Sequence, residues 1–273
     1  MKVLTFALAA ALSLAAPAAV AQTIKIAGTG AAVGAMVLLA AEFRRSEPGV
    51  SFGSIEAIGS GGAIRAALAG ALDIALISRP LHAAEAAAGA RAIEYARTPF
   101  VLAVSSSLPV RTITRAELAR IYAGSMDAWP SGGRVRPVLR PADDIDTRYL
   151  KALAPEVGLA VEQALKRAGM LVASTDREAA DIIEKTPGAI GASSLGLIWS
   201  EARAMHALAL DGVAPSLQAL ESGAYPHHKR LYMVIGKKGL TPQAKRFAEF
   251  VTSAPGKALL KRTGHLVPPF PGG

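Results

Sequence analysis

Three stretches of the chain set glycine and hydroxyl residues where a strand gives way to a helix or ends at a sheet edge. They are Gly28-Thr29-Gly30, Gly59-Ser60-Gly61-Gly62 and Ser78-Arg79. A helix N-terminus carries unpaired backbone N–H groups and the positive end of the helix dipole, so a glycine turn bearing a hydroxyl there is a ready seat for an oxyanion. Ser78-Arg79 would add a second hydroxyl and a guanidinium at the same edge. Taken singly, each turn is explained as well by tight packing. Converging on one sheet edge, the three point to a small-anion site.

Other chemistries lack their residues. In "GTGAAVG" the first two glycines of a dinucleotide fingerprint are present, but the third falls at Gly34 and the required position holds Val33. No Walker-type phosphate loop occurs, and "GASSLG" (residues 191–196) has the wrong spacing for a nucleophile elbow. The chain has no cysteine, which excludes thiol catalysis, cysteine-ligated zinc and iron–sulfur chemistry. Of the five histidines, the adjacent His227 and His228 would point to opposite faces of a strand and make a poor metal pair. Asp144 and Asp146 form the one close carboxylate pair in a plausible cleft position, with nothing to mark a partner. No enzyme activity, metal or cofactor is expected.

The first residues, "MKVLTFALAAALSLAAPAAVAQ", give a basic Lys2, an apolar run and a small-x-small site at Ala19-Val20-Ala21. That is the layout of a secretory signal peptide, residues 1–21, cleaved after Ala21. The apolar run before Pro17 is shorter than the roughly 20 residues a spanning helix needs. The expected location is therefore the periplasm. The remaining residues suffice for one large domain or two smaller ones, held by packing alone. The formal charge is +9, but the basic residues are scattered and aromatics make up only 5%. Nucleic-acid binding, which needs a basic stripe with stacking rings, is not expected.

The elements that would position the anion site alternate. "TIKIAGTG" reads as a strand and turn, "AAVGAMVLLAAEFRRSEPG" as a helix, "VSFGSIEAIGSGG" as a strand and turn, "AIRAALAGAL" as a helix and "DIALISRPL" as a strand. This order indicates a parallel α/β sheet. Further on, "TPFVLAVSSSLPV", "VRPVLRP", "AIGASSLGLI" and "PHHKRLYMVIG" read as strands. Thr114 with Glu117, and Thr175 with Glu178, fit capping boxes, and Thr241-Pro242 starts a helix before "QAKRFAEFVTS". No repeat or flexible tether divides the chain, so two domains would be joined by strands.

The pieces "IKIAGTG", "FRRSEPGVSFGSIEAIGSGGAIRAALAGALDIALISRPL", "ITRAELARIYAGSMDAW", "KTPGAIGASSLGLI" and "LTPQAKRFAEFVTSAPGKALLKRTGHLVP" follow one another over most of the chain. Together they resemble the phosphate-type substrate-binding proteins of bacterial ABC transporters. The resemblance implies an α/β type II periplasmic-binding-protein fold of two lobes, each a mainly parallel sheet flanked by helices. Two hinge crossings would lie near residues 100–104 and 225–231. Lobe I would comprise residues 22–102 plus 228–273, and lobe II residues 103–227. By the same resemblance, ligand contacts fall on Thr29, Gly30 and Ala31, on Ser60, Gly61 and Gly62, and on Ser78 and Arg79. The second lobe would add Arg140 and Thr147. The implied partners are a small oxyanion, first of all phosphate, and an inner-membrane permease, with the protein acting as a monomer.

One motif departs from the family. Where the family follows its arginine with Ser-Gly-Thr, this chain has Asp144-Ile145-Asp146 after Arg140, and only Thr147, one residue on, keeps a hydroxyl. Three readings stand. Asp143 or Asp144 caps the following helix and points away from the cleft. An aspartate accepts a proton from a protonated oxyanion and so favours phosphate over sulfate. Or the protein has left phosphate for another ligand, or acts as a sensor or interaction partner in the cell envelope.

Overall fold

The computed structural model describes residues 23–270, and the expected signal peptide lies outside them. Local signals set many of the element boundaries. Thr114 accepts a hydrogen bond from the Glu117 N–H while the Glu117 carboxylate takes the Thr114 N–H. That reciprocal cap starts the helix Arg115–Ala123, and Gly124, at φ 83°, ends it before the downstream tryptophan. Thr175 and Thr241 cap their helices with the hydroxyl alone, accepting the Glu178 and Ala244 N–H groups; the expected box at Thr175 is not closed, because the Glu178 carboxylate takes the Ser174 N–H instead.

The main elements are β1 (Ile26–Gly28), α1 (Gly30–Ser46), β2 (Glu56–Ala57), α2 (Gly59–Leu68), β3 (Ile74–Ile77) and β4 (Arg91–Ser105). Next come β5 (Arg136–Leu139), α3 (Ile145–Lys151), β6 (Leu171–Val172), α4 (Asp176–Lys185) and β7 (Ala189–Ser194). The chain continues with α5 (Leu195–Ser200), β8 (Met205–Ala207), β9 (His228–Ile235) and α6 (Pro242–Thr252). The second strand read from the sequence is interrupted: Ser51–Phe52 pairs with Thr23–Ile24, and only β2 joins β1. A helix that the sequence reading did not pick out, Pro155–Lys166, packs on Arg115–Ala123.

A nine-stranded sheet runs β2-β1-β3-β9-β4-β7-β5-β6, with β8 also paired to β4. The outer strands of each half are parallel, while β9 and β7 run antiparallel to β4. Strand β4 is shared. Arg91 to Pro99 pair with β9, and Phe100 to Val104 pair with β7. The change of partner divides the sheet into two lobes, each with its own core. One gathers Ile26, Met36, Phe43, Leu76, Tyr95 and Phe247. The other gathers Phe100, Leu102, Tyr122, Trp129, Leu139 and Ile190. This is the two-lobed α/β arrangement expected from the sequence. Among the described residues no helix is long and apolar enough to cross a membrane.

The lobes meet along α1, and two glycines permit it. A Cβ on Gly30 would lie 2.8 Å from the Asp176 Cβ, and one on Gly34 would lie 2.4 Å from the Ser200 Oγ. Gly30 and Gly34 are four residues apart and therefore share one face of α1, which they clear for α4 and α5. The glycine spacing that superficially matched a dinucleotide fingerprint thus serves close approach of protein to protein. Gly34→Leu should leave the helix content measured by far-UV circular dichroism unchanged. It should also separate the lobes, read as a larger radius of gyration in small-angle X-ray scattering.

Candidate functional site

Each residue of the first glycine turn has a defined place. Thr29 follows β1 as the N-cap residue of α1 and is buried, Gly30 opens α1, and Ala31 follows inside the first turn, fully buried. The Gly30 N–H donates to Asp176 Oδ2 at 3.1 Å. The Thr29 hydroxyl lies 3.3 Å from that same oxygen and 3.3 Å from Ser78 Oγ, and its single proton serves one acceptor at a time. The start of α1 therefore does hold an oxyanion. It is the side-chain carboxylate of Asp176, from the other lobe.

The other oxygen of that carboxylate meets a lysine. Lys229 Nζ lies 2.8 Å from Asp176 Oδ1 and 2.5 Å from Asp146 Oδ1. Lys229 is completely buried, and Asp146 and Asp176 are 1% and 6% exposed. A buried ammonium needs compensating charge, because desolvation alone would strip its proton. Burial works against the charge of Lys229, but Asp146 and Asp176 hold its pKa above the ordinary lysine value. Burial also opposes ionisation of Asp176, yet Lys229 and Arg140 hold it well below the usual carboxylate range. Asp146 goes the other way. Its burial, only partly offset by Lys229, pushes its carboxyl up to about 7. The asymmetry is one of charge: Asp176 is favoured by both Lys229 and Arg140, whereas the gain Asp146 takes from Lys229 is opposed by burial and by the Asp176 and Asp144 carboxylates.

The second-lobe arginine is also engaged. Arg140, 5% exposed, reaches Asp144 Oδ2 at 2.7 Å and donates to the Ala173 carbonyl at 2.9 Å. Asp144 is the N-cap of α3, its Oδ1 accepting the Asp146 N–H at 2.9 Å. Of the readings for the acidic motif, capping describes Asp144, but Asp144 does not point away: it pairs with Arg140 and lines the interlobe cleft, while Asp146 points into the lobe junction. The Thr147 hydroxyl turns back to the Arg140 carbonyl at 3.1 Å.

The second and third turns lie to one side. Ser60 Oγ accepts the Ser78 N–H at 3.2 Å, tying α2 to the end of β3. Arg79 makes a two-pronged pair with Glu85, with contacts of 2.8 and 2.6 Å. That pairing pulls the Glu85 carboxyl down to about 2. Ser60, Gly61, Gly62 and Arg79 line an interlobe cleft of about 350 Å³ whose opposite wall includes Asp144 and Arg148. A larger groove of about 790 Å³ lies along the exposed side of α1, but its Arg203 is already satisfied by Asp181, Glu184 and Glu201. Among the described residues no cluster of three or more histidine, aspartate or glutamate side chains could hold a metal ion.

The structure thus gathers Thr29, Gly30, Ser78 and Arg140 around the junction, sets Ser60, Gly61, Gly62 and Arg79 on the cleft beside it, and turns Thr147 to the backbone. Sequence reasoning missed Lys229 and Asp176. Lys229 carried a signal, since it alternates in phase with Leu231 and Met233 along a strand and so falls on the buried face. Asp176 stood one residue inside a capping box and was absorbed by it.

A family model described as a PBP superfamily domain matches residues 14–255. The chain belongs to the PBP superfamily. A curated relative of this PBP-superfamily chain, the phosphate-binding protein PstS of Borreliella burgdorferi, is 23% identical over 199 residues, 71% of each sequence. Solved structures share the fold. A candidate phosphate ABC transporter substrate-binding protein of Clostridium perfringens, with phosphate bound, superposes at TM-score 0.76 and 22% identity, over 90% of this chain and 99% of that one. The periplasmic molybdate-binding protein of Azotobacter vinelandii superposes at TM-score 0.62 and 14% identity, over 90% and 99%.

The charge arrangement makes a pH prediction. The unfolded Asp146 carboxyl ionises near its ordinary 3.8 and the folded one near 7, so the folded state holds this proton more tightly. Ionised Asp146 therefore costs stability, fully above pH 7 and progressively less down to about pH 4. Relative to the wild type, Asp146→Asn should fare better at pH 8 than at pH 4, so its stability against urea minus that of the wild type should fall as pH falls through that window. Acid effects of other groups, such as the buried neutral His265, are common to both proteins and cancel in the difference.

Proposed function

We propose that this PBP-superfamily protein is the extracytoplasmic solute-binding component of an ABC importer, taking an oxyanion, phosphate first, between its two lobes. The observation that carries the reading is that the lobe junction already binds an oxyanion. A carboxylate is gripped there by a helix N-terminal N–H, a hydroxyl and a buried ammonium. The phosphate-binding relative supports the ligand class, and the shared two-lobed fold supports the mode of binding. In this reading the protein works as a periplasmic monomer, released by cleavage after Ala21. Residues 22–102 and 228–273 form lobe I, residues 103–227 form lobe II, and the closed pair docks on a permease. Thr29, Gly30, Ala31 and Ser78 face the ligand from the first lobe and Arg140 from the second. Ser60, Gly61, Gly62, Arg79 and Thr147 support the turns that carry them. The protein catalyses no reaction in this role.

A second reading rests on the same charges. Lys229 and Arg140 face three carboxylates, Asp144, Asp146 and Asp176, so at the lobe junction itself neither cation is left for a dianion. A dianion about 5 Å from one ionised carboxylate would be opposed by several kcal/mol at an effective dielectric constant of about 20. A protein so arranged would serve as a sensor or interaction partner in the envelope.

Thermal unfolding of the mature protein against phosphate, sulfate and molybdate at matched ionic strength separates the two. A ligand that binds only the native state stabilises it by about 2.7 kcal/mol at a hundred times its Kd. Phosphate is expected to raise Tm in proportion to the logarithm of its concentration. A flat response to all three anions would leave the second reading standing.

A further inference from the structure

We propose that the carboxylate of Asp176 is a built-in interlobe anion that holds the two lobes together in the absence of solute. It stands where an external ligand would have to bind. The inference rests on the oxyanion reading only for the identity of its competitor.

The geometry is that of a bound ligand rather than of a surface ion pair. Both oxygens of Asp176 are engaged, and by different elements: Oδ1 by Lys229 on β9, Oδ2 by the Gly30 N–H at the start of α1 and by the Thr29 hydroxyl. All of these donors belong to one lobe. Asp176 itself is the first residue of α4, whose Ala179, Ala180 and Ile183 lie in a core of the other lobe. The Thr175 cap fixes the start of α4, and the bare Gly30 lets the two helix starts approach until a Cβ there would overlap the Asp176 Cβ. The close approach of the two helix starts, and with it the grip on Asp176, depends on Gly30 having no side chain.

A tethered anion competes with a free one at a high effective concentration, of millimolar order for short tethers. External oxyanion must first displace Asp176, so its apparent affinity falls by the fraction of molecules with the seat vacated. Lys229 keeps a polar contact throughout, because Asp146 meets it from the other side.

The test is small-angle scattering and phosphate titration of the full mature chain, dialysed free of phosphate, beside Asp176→Ser. The wild-type protein should show the same radius of gyration without and with 10 mM phosphate. Asp176→Ser should be larger without ligand and contract on phosphate, with a midpoint at least 100-fold lower than that of the wild type. Asp176→Asn, which keeps the side-chain volume, guards against a folding defect in the serine variant and should also expand. A wild-type chain that is expanded without solute and contracts on phosphate would overturn the proposal. So would serine and asparagine variants whose radius and phosphate midpoint match the wild type. Variants that expand but respond to none of phosphate, sulfate and molybdate would uphold the built-in anion and overturn the oxyanion reading alone.

Discussion

The ammonium of Lys229 is the point on which the lobe junction depends. It is wholly buried on a strand that begins where the chain returns to the first lobe, and both carboxylates that neutralise it come from the second. Removing one partner of a buried ion pair typically costs about 3–5 kcal/mol, because the survivor stays desolvated. Replacing the whole cluster by apolar residues is often neutral or stabilising. Such a cluster is therefore better understood as fixing which surfaces meet than as a source of net stability.

Everything near it follows from that need. α1 must bring its N-terminus against α4, so Gly30 and Gly34 leave one face of the helix without side chains. Asp176 is held low in pKa by Lys229 and Arg140, while its second oxygen takes the N–H and hydroxyl at the helix start. Asp146 is left with the remaining share of Lys229 and holds its proton into the neutral range. Arg140, just past the end of β5, pairs with Asp144, donates to a backbone carbonyl and adds its charge to the hold on Asp176. The cleft lined by Ser60 and Arg79 lies beside this cluster, and Arg79 is itself committed to Glu85.

The likeness to phosphate-binding relatives and the filled junction are two consequences of one geometry. A helix N-terminus at the end of a β-strand binds oxygen anions whether they arrive from solution or from a neighbouring helix. A turn of glycine and hydroxyl residues can serve either source, and here the anion seated on it is the Asp176 carboxylate.

Much of this was legible in the chain itself. The glycine–hydroxyl turns, the alternation of strand and helix, and the threonine caps follow from short-range rules: backbone freedom, periodicity and unpaired N–H groups near a helix start. These fixed the α/β class, placed Thr29 and Gly30 at an anion seat, and marked Asp144-Ile145-Asp146 as a departure. The sequence could not say which anion sits on Gly30. Asp176 is 146 residues away from it, and Lys229 a further 53 from Asp176. Their meeting depends on β4 changing partners, on α4 packing against the second lobe, and on the closing of one lobe upon the other. Local patterns report what each segment can bind; only the tertiary structure decided which of the protein's own charges would be there, because charge pairing in a buried place is set by distance in space and not along the chain.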